Sequence, residues 1–188
     1  MKHTCVEHTW ALIGFGGMGG WHYQNIKDRL PEIRTKGAYD IRPEARKAAE
    51  EKGLYAYSTL EELLADKEVD LVTIAVPNNF HKDLSIQCLR AGKNVICEKP
   101  VTMNAAELEE IMAVARETGK LFSIHQNRRW DKDYRIVKEI LDSGVIGKPY
   151  FIESRVQGSR GSMFGWRNHK VNGGGMLLDW GVHLIDQM

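Results

Sequence analysis

Asp179 and His183 stand four residues apart in GGGMLLDWGVHLIDQM, a segment whose apolar residues Met176, Leu177, Trp180, Leu184 and Met188 recur at helical spacing. On a helix, residues i and i+4 share a face, so the carboxylate and the imidazole come within reach of each other. An unperturbed imidazole titrates at about 6.5, which suits it to take and return a proton near neutral pH. A lysine in the sequence CEKP, Lys99, offers an ammonium that would stabilise charge developing on an alkoxide-like oxygen. Base, carboxylate and ammonium are what removal of a hydroxyl proton requires. Each also has a plainer reading: a surface Lys99, a salt-bridging Asp179 and a satisfied core His183. Asp186, three residues beyond His183 on the same side, reads as half of a structural pair or as an orienter of His183, with the structural role preferred. No Gly, Asn or Pro closes the helix after Ile185, so it is expected to be unfinished.

A second constellation lies near the N-terminus, in GFGGMG. Gly14, Gly16 and Gly19, with Phe15, Gly17 and Met18 between them, follow an apolar run and open an amphipathic one. Gly14 allows a tight turn, Gly16 a close backbone approach to a pyrophosphate, and Gly19 close helix–strand contact. The helix start then offers unpaired N–H groups and partial positive charge to phosphates. The motif alone is weak. The strand before it, the helix after it and an acid at Asp40 supply the confirming context. Asp40 is expected to accept hydrogen bonds from adenosine ribose hydroxyls and to repel a 2′-phosphate, favouring NAD over NADP. Arg42 complicates this, because it could pair with that phosphate, stack on adenine, or be a solvated surface arginine.

These groups require elements to hold them. Apolar runs at residues 6–13, 71–76, 94–97 and 121–125 read as strands, as does the more polar stretch 34–39. Amphipathic segments at 17–30, 43–52, 60–65, 79–91 and 104–118 read as helices. Ser58 with Glu61 forms a capping-box pattern before the third helix. Asn104 with Glu107 starts the fifth, and Gly119 stops it. Strands alternating with helices imply right-handed crossovers and a doubly wound parallel α/β sheet over residues 1–125. Residues 126–188 read differently. One helix at 131–143, one strand at 150–156, a Gly-, Ser- and Arg-rich loop and the terminal helix suit the opening of a truncated α+β second domain.

The 188 residues carry a formal net charge of +1, 43% hydrophobic and 27% charged residues, which is ordinary for a globular protein. That balance gives no reason to invoke nucleic acid or a membrane surface, and no apolar run approaches the ~20 residues of a spanning helix. Three cysteines without a CxxC argue against a disulfide framework and fit a reducing cytoplasm. His3, Cys5 and His8 could ligate a metal, but a frayed tail entering the first strand is the preferred reading, and no metal site is expected.

PNNFH (residues 77–81) and CEKP (residues 97–100) both follow strands and so lie at the carboxyl edge of the sheet, where open α/β folds bind ligands. With these, GFGGMG and the terminal D-x-x-x-H-x-x-D together, the chain resembles the Gfo/Idh/MocA oxidoreductases along essentially its whole length. NRRWD (residues 127–131) resembles the segment in which that family leaves its Rossmann domain. The resemblance implies an NAD cofactor, with NADP possible, and a sugar, cyclitol or related polyol as substrate. Lys99 matches the lysine that contacts the reacting hydroxyl and often leads a cis peptide, here to Pro100. Asp179 matches the substrate-binding carboxylate, and His183 the general acid–base. Pro77, Asn78 and His81 match the cofactor-edge loop, with Glu98 beside Lys99, although Asn78 could simply cap the following helix. Arg128, Arg129 and the loop residues Trp166, Arg167, His169 and Lys170 could face substrate or solvent, and Cys97 reads as a buried spacer.

Members of the family continue well beyond this length into a large open sheet that covers the substrate cleft and mediates homo-oligomerisation. The resemblance therefore implies a dehydrogenase represented by its N-terminal part, with little turnover expected of this chain alone and apolar surface left exposed. Two other functions stay open: an NAD-dependent glycoside hydrolase acting through transient ring oxidation, and a non-catalytic dinucleotide-binding fragment.

Overall fold

Apolar runs that lie between two layers of helix become strands, because only a parallel ladder satisfies their backbone while both faces stay dry. The computed structural model describes residues 8–157 and 163–188. The chain divides into two compact units, Met1–Ile124 and His125–Met188.

The first unit holds six parallel strands: β1 (His8–Ile13), β2 (Ile33–Tyr39), β3 (Tyr55–Ala56), β4 (Leu71–Ile74), β5 (Asn94–Cys97) and β6 (Phe122–Ile124). Their spatial order is β3-β2-β1-β4-β5-β6. The chain thus builds outward from β1 in one direction, then returns to its other side at β4. Five helices make the crossovers: α1 (Gly17–Arg29), α2 (Pro43–Glu50), α3 (Leu60–Ala65), α4 (His81–Arg90) and α5 (Ala105–Thr118). This is the doubly wound Rossmann sheet that the alternation of strands and helices predicts.

Period-two alternation along β1 explains why both faces are filled. Trp10 and Leu12 pack with Tyr23 of α1 and with Ala45 and Ala49 of α2. Ala11 and Ile13 pack on the opposite face with Leu63 of α3, Cys88 and Leu89 of α4, and Ile111 and Val114 of α5. The one polar atom of Trp10 is satisfied inside the sheet, where its indole N–H donates to Thr73 Oγ1 at 2.8 Å.

Three local readings are corrected. The cap of α3 lies one residue later than the Ser58–Glu61 pattern predicts. Thr59 Oγ1 accepts from the Glu62 N–H at 3.1 Å, and Glu62 Oε2 accepts from the Ser58 N–H at 2.7 Å. The two-residue strand β3 was not anticipated, being too short to show a period. It exists because Gly37 of β2 lets Tyr55 approach; a Cβ there would lie 2.5 Å from the Tyr55 carbonyl oxygen.

The third correction falls in the second unit, where residues 150–156 join no ladder. The alternating pattern is present, yet a strand needs a partner, and Tyr150, Phe151 and Ile152 are exposed. This unit contains a 3₁₀ turn (Asn127–Trp130), helix α6 (Lys132–Asp142), two further 3₁₀ turns (Gly165–Asn168 and Lys170–Asn172), a π-helical segment (Leu177–Gly181) and α7 (Val182–Gln187). Gln126 donates to the Val182 carbonyl at 3.0 Å and Gln187 to the Arg128 carbonyl at 2.9 Å, which pins the terminal helix to the 3₁₀ turn. Of the supposed ligand trio, His3 and Cys5 fall outside the described residues, while His8 sits in β1 with its Nδ1 2.5 Å from Asp70 Oδ2. No helix among the described residues is long and apolar enough to cross a membrane.

Candidate active site

The carboxyl ends of β1, β2, β4 and β5 carry the first group of candidates. Gly14 leaves β1 at φ +95°, and a Cβ on it would sit 2.4 Å from the Ala75 carbonyl oxygen. Its N–H donates to the Tyr39 carbonyl at 2.7 Å, which bolts the turn to the end of β2. Gly19, in the first turn of α1, rides directly over this turn; a Cβ there would be 2.0 Å from the Gly14 carbonyl oxygen. Gly16 occupies the cap position of α1, which has no side-chain cap bond and no acidic residue in its first turn. A Cβ on Gly16 would meet nothing nearer than Arg42 Nη2 at 3.8 Å, and one on Gly17 nothing within 4 Å. The turn between Phe15 and Met18 is therefore a bare helix start, sterically and electrostatically fit for a phosphate.

Asp40, at the end of β2, is buried and closely tied to that turn. Its Oδ2 accepts from the Phe15 N–H at 2.9 Å and from Arg42 Nη2 at 3.2 Å. Its Oδ1 accepts from the Arg42 N–H at 2.9 Å and from Arg42 Nε at 3.1 Å. Bonding to Asp40 raises the pKa of the Arg42 guanidinium still further. The carboxylate therefore carries its charge as half of an ion pair.

Beyond β4, Pro77 leads into a 3₁₀ turn (Asn78–Phe80) that runs directly into α4. Asn78 is 3% exposed, and the cap position of α4 is Phe80, which makes no side-chain cap bond. His81 is fully buried, with Nδ1 2.7 Å from the Pro100 carbonyl oxygen and Nε2 3.0 Å from that of Val76. Its ring thus lies behind the loop. Beyond β5, Glu98 is buried, Lys99 is half-buried, and the Lys99–Pro100 peptide is cis. Cys97 is fully buried, and burial pushes its thiol pKa well up, as a packing residue requires.

Glu98 has a partner that the sequence reading overlooked. His22 of α1, 6% exposed, places its Nε2 2.7 Å from Glu98 Oε1. The helix that starts at the glycine turn is thereby joined to the loop that carries Lys99. A signal for it existed: Gly19, His22 and Tyr23 are the buried residues of α1, spaced as one helical face.

In the second unit, Asp179 lies in the π-helical segment and His183 in α7, on one continuous helical stretch. Arg167 Nε donates to Asp179 Oδ1 at 3.2 Å, and its guanidinium stacks 4.5 Å from the Trp166 ring centroid. His183 is 3% exposed and meets Trp180 edge-on at 6.3 Å between ring centroids. Arg128 covers the same indole at 4.4 Å and bonds Asp131 at 2.9 Å. Asp186 forms a two-pronged pair with Arg129, at 2.6 and 2.8 Å, which lowers the pKa of its carboxyl. That geometry gives Asp186 a structural partner.

Comparison with known proteins agrees with this architecture. Residues 8–126 match the GFO/IDH/MocA description "Oxidoreductase family, NAD-binding Rossmann fold", and residues 134–188 match a GFO/IDH/MocA C-terminal domain. An NAD-binding protein from Listeria innocua superposes with a TM-score of 0.93 at 47% identity, over 97% of this chain and 54% of that one. The Bacillus subtilis scyllo-inositol 2-dehydrogenase (NADP(+)) is 30% identical over 178 residues, covering 94% of this chain and 49% of that protein. The Lactobacillus casei scyllo-inositol dehydrogenase, solved with bound cofactor NAD(H) and scyllo-inositol, gives a TM-score of 0.69 at 26% identity, over 76% of this chain and 43% of that one. The chain thus spans about half the length of the relatives it matches.

Proposed function

This chain belongs to the GFO/IDH/MocA oxidoreductase family, and on that premise we propose that it is the dinucleotide-binding and proton-handling part of a dehydrogenase. The reaction is hydride transfer between a nicotinamide cofactor and a secondary hydroxyl of an inositol, sugar or related polyol. One observation carries the reading: the bare start of α1, with Gly16 at its cap, stands beside Asp40 at the end of the neighbouring strand. Phosphates suit the first feature, and the second marks the ribose side.

When bound, the nicotinamide supplies the hydride acceptor. The chain's own residues supply the rest. Gly16, Gly17 and Met18 hold the pyrophosphate through main-chain N–H groups, the Phe15 N–H being committed to Asp40, and Pro77 and Asn78 border the cofactor at the end of β4. Lys99 contacts the reacting hydroxyl and stabilises negative charge on its oxygen. Asp179 binds substrate, kept in place by Arg167. His183 takes the hydroxyl proton, and its burial keeps that exchange away from bulk water. Residues 1–125 carry the cofactor side, and residues 126–188 begin the substrate side.

NAD is the proposed cofactor. A bare Asp40 would exclude a 2′-phosphate, but here its charge is shared with Arg42, so NADP is disfavoured only mildly. Both kinds of cofactor occur among the relatives, NAD(H) in the Lactobacillus casei enzyme and NADP(+) in that of Bacillus subtilis. Calorimetric titration with each dinucleotide tests the reading. Saturable binding of both is expected, tighter for NAD. No heat of binding with either at millimolar concentration would refute it. NADH formation on addition of scyllo- or myo-inositol tests the reaction: little is expected from the 188-residue chain alone, and His183→Ala and Lys99→Ala are expected to abolish what there is.

A further inference from the structure

The β4–β5 ladder ends where the Glu98 N–H donates to the Ile74 carbonyl at 3.0 Å. Beyond that point the two strands diverge into loops, one leading through Val76 to Pro77 and Asn78, the other through Lys99 to Pro100. The His81 ring stands between these loops, with Nδ1 2.7 Å from the Pro100 carbonyl oxygen and Nε2 3.0 Å from that of Val76. It is fully buried, with both ring nitrogens directed at main-chain carbonyls. We propose that His81 is a positioning residue: it extends the β4–β5 connection past the ladder and sets the spacing between the Asn78 loop and the Lys99 turn. The effect on binding rests on the dinucleotide reading above.

A neutral imidazole has one N–H to donate, and an imidazolium has two. Burial lowers the pKa of this ring, opposed by its two carbonyl contacts and by Glu98 and reinforced by Lys99. Near neutral pH the ring is therefore neutral with a single N–H. The shorter contact assigns that hydrogen to Nδ1, which makes the Lys99 turn the one held by donation. The Val76 carbonyl then faces the unprotonated Nε2 across 3.0 Å with no hydrogen between them, so that loop is spaced by packing against the ring.

The assignment distinguishes substitutions that a purely space-filling role would not. The side-chain amide of asparagine stands two bonds from Cβ, as Nδ1 does in histidine; that of glutamine stands where Nε2 does. His81→Asn retains a donor toward Pro100, His81→Gln introduces one toward Val76 in its place, and His81→Leu has neither. NAD affinity of the 188-residue chain, measured below each variant's melting temperature, is expected to fall about tenfold for Leu, and least for Asn. Side-chain NMR of the wild-type protein is expected to show a slowly exchanging His81 ring hydrogen on Nδ1. Equal affinities for the Asn and Gln variants, undiminished affinity for Leu, or a ring hydrogen on Nε2 would each overturn the proposal. If the wild-type chain binds no dinucleotide, the functional reading fails, and the position of the ring hydrogen still decides which loop His81 holds.

Discussion

The two regions that carry candidate chemistry are built on opposite plans. At the carboxyl edge of the sheet, the functional groups are tied to main chain: Asp40 by the Phe15 N–H, Gly14 by the Tyr39 carbonyl, His81 between two carbonyls, and Glu98 by the Lys99 N–H, with the His22 ring at its other oxygen. In the second unit, side chains hold side chains. Arg167 meets Asp179, Arg129 meets Asp186 and Arg128 stacks on Trp180. Main-chain partners cannot swing away, so the first plan fixes positions before any ligand arrives. Long side chains can re-pair, so the second leaves its groups adjustable. A crossover sheet provides the first kind of frame, and short helical turns joined by loop provide the second.

The sharpest way to break the comparison is at the glycine turn. Gly14→Ala places a Cβ 2.4 Å from a carbonyl oxygen at a positive φ, so the backbone must move. We expect a loss of at least about 3 kcal/mol in the stability of the first unit and loss of dinucleotide binding. A variant that melts and binds like the parent would remove the main-chain argument.

Next is the buried His22–Glu98 pair. Removing one partner, as in His22→Leu, takes away the buried 2.7 Å contact at Glu98 Oε1 and should cost about 2 kcal/mol in urea unfolding. Combining it with Glu98→Met should recover most of that. A single-variant cost below about 1 kcal/mol would mean that the pair is no frame at all.

Acid provides a milder probe of the first unit. Burial alone would raise the Asp66 pKa, but hydrogen bonds from Lys36 and Tyr57 outweigh it and hold the carboxyl at about 2, below the ordinary 3.8. Because the folded value is depressed, this stabilisation is fully present above the unfolded value and disappears as pH falls through about 2. It amounts to about 2 kcal/mol, and Asp66→Asn should lose the corresponding slope between about pH 4 and 2 in acid titrations of stability. An unchanged slope would place the acid response elsewhere.

The smallest stability effect is expected in the second unit. Arg167→Ala removes a partly exposed ion pair and should shift stability by no more than about 1 kcal/mol, while weakening the hold on Asp179. In the polyol oxidation proposed above, that variant should raise KM more than it lowers kcat. The reverse outcome would show that the loop is as rigid as the sheet edge.

Much of the first unit could be read from residue pattern because the period-two alternation of β1 and the glycine turn are local signals. Strand β5 and the Asn104 cap of α5 fall where their residues predict, the latter with Asn104 Oδ1 accepting from the Glu107 N–H at 3.0 Å. The shortfalls are all places where a distant partner decides. Strand β3 exists only because Gly37 admits Tyr55. Residues 150–156 have strand pattern but no neighbour. His22 looked unremarkable in GGWHYQN until Glu98, 76 residues later, came to meet it. For the candidate site, the glycine motif, Asp40, Lys99, Asp179 and His183 stood out by type and spacing. That Asp40 is already bonded to Arg42, and that Arg167 holds Asp179, depended on side-chain directions that spacing does not encode.

The strand order has a consequence for how the protein is assembled. Because β1 lies between β2 and β4, the chain completes one side of the sheet before β4 arrives to close the other. The glycine turn, the Asn78 loop and the Lys99 turn become neighbours only after these non-local pairings form, and such pairings are slow to fold. A nucleotide recognising that edge has nothing to bind in a half-built sheet. It would act as a selective thermodynamic sink for the finished unit, adding about 2.7 kcal/mol when present at a hundred times its dissociation constant. Cofactor supply and the yield of folded protein would then be linked.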